Sequence, residues 1–101
     1  MLLKYIETIE ECKIACEKLS KAKIVAFDCE GDDLNRYGAL TLLSLCEYKD
    51  TIEEQRQAIA YLFDVQQIGK SVFECGVQNI LGSETILKLC FDCHKHISLL
   101  L

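Results

Sequence analysis

The apolar positions of this chain switch between two spacings, and the switches mark out its elements. Residues 2–6, LLKYI, read as a short edge strand. The next stretch places Ile9, Cys12, Ala15, Cys16 and Leu19 at helical spacing, with Thr8 and Glu11 set three apart as a capping box and acids in the first turn. This helix is expected to end near Ser20. Residues 23–31, KIVAFDCEG, form a continuous apolar run that breaks into acid, the pattern of a buried central strand. After the turn-rich GDDLNRYG, residues 40–46 read as a second strand returning antiparallel beside the first.

Polar residues 48–57 read as an exposed loop or a short helix, followed by a third strand at 58–64. Val72, Phe73, Val77, Ile80 and Leu81 predict a helix over 71–81, closed by Gly82. A fourth core strand is expected over 86–92, and residues 96–101 open another helix. Strand, helix, three strands, helix and strand describe an α/β protein whose sheet is mixed, with flanking helices, and not doubly wound.

Length confines this to one domain, residues 1–101, and a unit of this size buries about two-thirds of its unfolded surface. Half the residues are apolar and 27% charged, which favours a globular chain over disorder. No apolar run approaches the roughly 18 residues of a membrane helix, and the acids in MLLKYIETIEEC do not suit a secretory signal. The expectation is an intracellular protein, of cytoplasm or nucleus, with no membrane association. Seven cysteines, an odd number, fit free thiols in a reducing compartment better than a disulfide scaffold. Cys12, Cys46 and Cys90 sit where a buried thiol packs as a small hydrophobe. A net charge of −5 argues against binding nucleic acid by bulk attraction, but leaves room for an enzyme that holds its substrate through metal ions.

Asp28 and Glu30 carry the strongest chemical signal. Alternate residues of a strand share a face, so the two carboxylates are expected to project together about 6.6 Å apart along the backbone. Hard oxygen donors at a strand end suit Mg²⁺ or Mn²⁺. Two such ions, roughly 3.5–4 Å apart, can activate water and stabilise the leaving oxygen in phosphodiester cleavage. D-x-E by itself describes equally well two acids that end a strand in solvent.

The longer pattern adds to this. IVAFDCEGDDLNRYGALTLLSL, then YLFDVQQIGKSVFECGVQNIL, then ILKLCFDCHKHISLLL resembles the ribonuclease D and Werner-type 3′-5′ exonuclease family of the DEDD superfamily, in particular its Egalitarian-like branch. The resemblance implies a ribonuclease-H-like fold, here its N-terminal portion. It also implies a chemistry in which four acids from three motifs bind two divalent cations and trim a nucleic acid, RNA more than DNA, from its 3′ end. Asp28 and Glu30 match the first motif as metal ligands and catalytic residues. Two departures stand against activity. Aligning the second motif on Asp92-Cys93 puts Phe91 at the family's His, His94 at its Arg, and His96 at its metal-binding Asp. The third motif, with the fourth acid and the residue that positions water, would lie beyond Leu101. A degenerate or truncated exonuclease is therefore expected.

Other features each allow a functional and a plainer reading. CFDCH matches the spacing of c-type haem attachment, which would need export and a distal ligand. Cys90, Cys93, His94 and His96 could imitate a zinc cluster, yet strand alternation points Cys90 and Cys93 to opposite faces. Arg36, in the loop after the acidic pair, and Lys88 could contact phosphate or be ordinary solvated cations. The apolar segment Ile97–Leu101 would suit a protein partner. That makes a non-catalytic RNA- or protein-binding module the rival to a nuclease.

Overall fold

The computed structural model describes residues 2–31 and 40–90, with the side chains of Glu30, Gly31 and Leu40 outside that description. Five strands, β1 (Leu2–Ile6), β2 (Ile24–Gly31), β3 (Leu40–Glu47), β4 (Ile59–Asp64) and β5 (Leu87–Cys90), form one sheet in the order β1-β4-β3-β2-β5. β1 pairs parallel with β4 and β2 parallel with β5, whereas β3 runs antiparallel to both β2 and β4. The mixed sheet is the one anticipated. Four of the five strands point the same way, so their carboxyl ends share one edge of the sheet.

α1 (Ile9–Leu19) follows β1 and buries Cys12, Ala15, Cys16 and Leu19. Its start is fixed as the sequence predicts: Thr8 Oγ1 accepts from the Glu11 N–H, while Glu11 Oε1 accepts from the Thr8 hydroxyl and from the Glu7 N–H. Burying this stripe against alternate residues of the strands makes the main core, with Ile6, Val25, Phe27, Cys29, Leu43, Leu45, Tyr61 and Phe63 from the sheet. The same core takes Val72, Val77 and Ile80 from the other helical segments. Cys46, Ala58 and Ala60 form a separate small cluster.

The polar stretch resolves into α2 (Ile52–Gln57), capped by Thr51 and burying nothing. α3 (Val65–Ile68), one turn directly after β4, was not anticipated; Asp64 caps it. The helix expected over 71–81 is broken into a π turn (Phe73–Val77) and α4 (Gln78–Leu81). Gly76 causes the break, at φ 139°, far from helical values. A glycine adopts this conformation without the steric penalty that a Cβ would bring. β5 also departs from expectation. It lies at an edge among the described strands, and Leu87 is 59% exposed, because its neighbour covers it along one side alone.

The cysteines follow the predicted chemistry in part. Cys12, Cys16, Cys29, Cys46 and Cys75 are free thiols, the first four buried. Cys90 is instead disulfide-bonded and half-buried, so it is not the buried free thiol expected from the apolar run around it.

Candidate active site

The two acids of the first motif lie at the carboxyl end of β2. In the pairing with β3, Asp28 faces Ser44 and Glu30 faces Leu42, with Cys29 opposite Leu43 between them. Cys29 is buried in the main core and Asp28 is exposed, so β2 alternates here as a strand covered by helices on one face does. The Cys29 N–H donates to Asp28 Oδ1 at 2.9 Å. Burial, with the Asp28 charge adding a smaller push, raises the Cys29 thiol to about 11. Cys29 is therefore a packing residue and not a nucleophile at neutral pH.

The register slips between Glu30 and Gly31: Glu30 pairs with Leu42, but Gly31 pairs with Leu40. Thr41 is thus an extra residue on β3, a bulge placed immediately beside the acidic pair. Bulges bend a strand and re-aim its side chains, and they concentrate at functional edges. Nothing in the residue pattern of LTLLSLC announces it.

β5 brings a second chain segment to the same end. It runs parallel to β2, and its last described residue, Cys90, pairs with Phe27, one residue before Asp28. The chain therefore leaves β5 at the edge that carries Asp28 and Glu30. Asp92, His94 and His96 come next in sequence; these residues, with Arg36 and Ile97–Leu101, lie outside the described residues. Lys88 is not brought to this place. It pairs in register with Val25 and donates through Nζ to the Ser83 carbonyl.

Asp64 is an acid at this edge that sequence reasoning passed over. It ends β4 and pairs with Leu42, whose other neighbour is Glu30. Its oxygens are occupied, Oδ1 by the Gln67 N–H and Oδ2 by the Tyr5 hydroxyl, each at 3.0 Å. Asp64 thus works as a helix cap that ties β1 to β4. The Asp64 hydrogen bond also raises the Tyr5 pKa. The signal for this role was available in the sequence as Asp followed three residues later by Gln at a strand-to-helix junction.

Among the described residues no three His, Cys, Asp or Glu side chains converge to hold a metal ion. The acidic pair supplies two oxygen donors of the hard type that Mg²⁺ and Mn²⁺ prefer. Carboxyl ends of parallel strands are also where open α/β sheets place their ligands.

Comparison with known proteins decides the family. A profile described as 3'-5' exonuclease matches residues 3–101. The chain belongs to the 3′-5′ exonuclease domain family. Its backbone superposes on Trypanosoma brucei RNase D in complex with RNA U12 with a TM-score of 0.77 at 28% identity, covering 97% of this chain and 32% of that one. Escherichia coli RNase D gives a TM-score of 0.70 at 20% identity, over 92% of this chain and 22% of that one, a likeness of fold. The piRNA biogenesis protein EXD1 of Xenopus laevis is 30% identical over 79 residues, which are 78% of this chain and 16% of that protein. The chain therefore spans a minor part of the length of each relative. Its fold is the RNase D-like one that the sequence pattern implied. No helix among the described residues is long and apolar enough to cross a membrane.

Proposed function

We propose that this exonuclease-family domain binds the 3′ end of RNA through divalent cations held at the carboxyl edge of its sheet, with Asp28 and Glu30 as ligands. The observation that supports this most directly is the pairing of β2 with β5. It puts Cys90, the last described residue of β5, beside Phe27 at the end of the sheet that carries both acids, and the degenerate second motif follows in sequence. Asp28 and Glu30 would hold Mg²⁺ or Mn²⁺, and a cation bound there would supply Lewis-acid activation of water and charge stabilisation at the scissile phosphate. RNA is favoured over DNA because one neighbour was solved with RNA U12 and another relative is a piRNA biogenesis protein. Five free thiols among the described residues suit an intracellular setting, although the disulfide at Cys90 does not add to that reading.

Hydrolysis by the 101-residue chain on its own is expected to be impaired. His96 takes the position of a third acid, and a neutral imidazole is softer and lacks the charge that helps retain Mg²⁺. A second reading, a binding module without catalysis, draws on that same substitution; Arg36 on the substrate side and a protein partner over Ile97–Leu101 belong to it. The test is 3′-end degradation of labelled single-stranded RNA and DNA with Mn²⁺, comparing the chain with Asp28→Asn/Glu30→Gln, alongside RNA binding by both. The expected result is no trimming by either protein and metal-dependent RNA binding that the double variant loses. Trimming that the double variant abolishes would overturn the impaired reading and support His96 or a partner subunit completing the site. RNA binding that ignores both metal and mutation would remove the metal-held reading altogether.

A further inference from the structure

We propose that Tyr5 is a stacking platform for one base of the single-stranded RNA whose 3′ end is held at Asp28 and Glu30, an inference that rests on the function proposed above.

The strand registers connect Tyr5 to the acidic pair. Tyr5 pairs with Leu62, Leu62 with Ser44, and Ser44 with Asp28. Directly paired residues project from the same face of a sheet, so these side chains form one row across β1, β4, β3 and β2. The row lies on the face turned away from the main core, because the chain neighbours Ile6, Phe63, Leu43, Leu45, Phe27 and Cys29 are buried in that core. Tyr5 and Asp28, at its two ends, are exposed, and Leu62 and Ser44 between them are half-buried. Three strand spacings separate Tyr5 from Asp28 by about 14 Å. That distance is roughly four nucleotides at the stacked spacing of about 3.4 Å, and fewer in an extended strand. Towards the amino ends of β2 and β4 the same face closes: Cys46 and Ala60 are buried, and Gln55 of α2 reaches Cys46 Sγ at 3.6 Å. The open floor is therefore the row that ends at Asp28.

Two features suit Tyr5 to stacking. Its hydroxyl donates to Asp64 Oδ2 at 3.0 Å, and Asp64 Oδ1 accepts from the Gln67 N–H, so the ring is tethered at its tip before a ligand arrives. A side chain fixed in advance loses less freedom on binding. The ring is also accessible, with Tyr5 47% exposed. Charge selects bases over phosphates here. The row carries no cation, and Asp64 and Glu7 lie close enough to Tyr5 to hold its phenol neutral, the Asp64 hydrogen bond above all. A phosphate finds no partner along it. A neutral aromatic ring, in contrast, accepts the face of any base. The strand would be held by cations at one end of the row and by stacking at the other, which suits a chain whose net charge is −5.

The test measures binding of a fluorescent single-stranded oligouridylate to the full chain with Mn²⁺, by anisotropy. The oligonucleotide is used intact and with one abasic residue moved stepwise from the 3′ end. Tyr5→Leu is expected to weaken binding of the intact RNA about tenfold, and Tyr5→Phe, which keeps the ring and loses the tether, by less. A single abasic position two to four nucleotides from the 3′ end should cost the natural chain about the same factor and cost Tyr5→Leu nothing further, since both changes remove one contact. Unchanged binding by Tyr5→Leu, or an abasic loss that persists in it, overturns the inference. The abasic series on the natural chain needs no variant, so it decides even where Tyr5→Leu fails to fold: an equal loss at every position overturns the subsite. Asp28→Asn/Glu30→Gln separates the two readings. Coupling between Tyr5 and the abasic position that survives while Mn²⁺ dependence is missing from the natural chain supports the subsite and removes the metal-held reading. Mn²⁺-dependent binding that only the double variant loses, without coupling at Tyr5, removes the subsite alone.

Discussion

Gly76 on the π turn comes so near Cys16 on α1 that an added Cβ would sit 2.6 Å from the Cys16 Cβ and 3.2 Å from its sulfur. Two effects therefore combine at one residue: a φ of 139° that side chains rarely adopt, and a contact closer than any Cβ tolerates. Gly76→Ala is expected to destabilise the fold by about 2–4 kcal/mol, as overpacking and backbone strain add. Gly69 provides the comparison, since it also has positive φ, at 80°, but a Cβ there meets nothing within 4 Å. Gly69→Ala should cost about 1–2 kcal/mol, from strain alone. Urea unfolding of the two variants measures the difference, and equal losses would show that the close approach to Cys16 carries no weight.

The capping box at the start of α1 makes a second prediction. Thr8 Oγ1 accepts from the Glu11 N–H at 3.2 Å, and Glu11 Oε1 accepts from the Thr8 hydroxyl at 3.1 Å. Thr8→Ala removes the cap and should cost about 1 kcal/mol, with Thr8→Ser close to neutral. Thermal unfolding by circular dichroism reads both. These hydrogen bonds also hold the Glu11 carboxyl below its ordinary pKa. Glu11 is only partly buried, so its own titration is expected to matter less than the loss of Thr8.

A third prediction concerns alkaline pH. Burial pushes the Cys16 thiol up to about 12 and the Cys29 thiol to about 11, both from 9.0. Both groups are neutral when protonated, and their folded pKa values are the higher. Their contribution is therefore complete below pH 9 and is lost as pH rises through the folded values, because the unfolded chain gives up its protons first. Tm should be flat through neutral pH and decline above about pH 9. Cys29→Ala should flatten part of that decline, and a Tm that holds steady from about pH 9 to 11 would contradict the burial argument.

Legibility in the sequence depended on the range of each signal. The α1 cap was legible because Thr8 and Glu11 act within one turn. The central position of β2 was legible because its apolar run is covered by neighbours on both sides and by helices over Val25, Phe27 and Cys29. The break at Gly76 was not, because a single glycine inside helical spacing is compatible with an unbroken helix until the neighbour at Cys16 is known. The Thr41 bulge escaped for the same reason: a register slip belongs to a pair of strands. Asp64 shows a local signal overlooked, since its capping of Gln67 needs no tertiary knowledge, whereas its bond to Tyr5 spans 59 residues. For the site itself, the position of Asp28 and Glu30 at a strand end followed from alternation. That β5 leaves the sheet beside them came from the parallel register with Phe27.

The acidic pair allows a test that needs no turnover. A ligand that binds the folded chain and not the unfolded one stabilises it by mass action, by about 2.7 kcal/mol at one hundred times its Kd. With Asp28 and Glu30 as ligands, Mn²⁺ should raise the Tm of the natural chain in a concentration-dependent way and leave Asp28→Asn/Glu30→Gln unmoved. Without metal, the double variant should unfold at nearly the same temperature, because Asn at position 28 keeps an oxygen that can accept from the Cys29 N–H. The combination separates a metal site from a structural role. Carboxylates that merely terminate β2 would give no Mn²⁺ shift in either protein, and carboxylates needed for folding would lower the Tm of the variant before any metal is added.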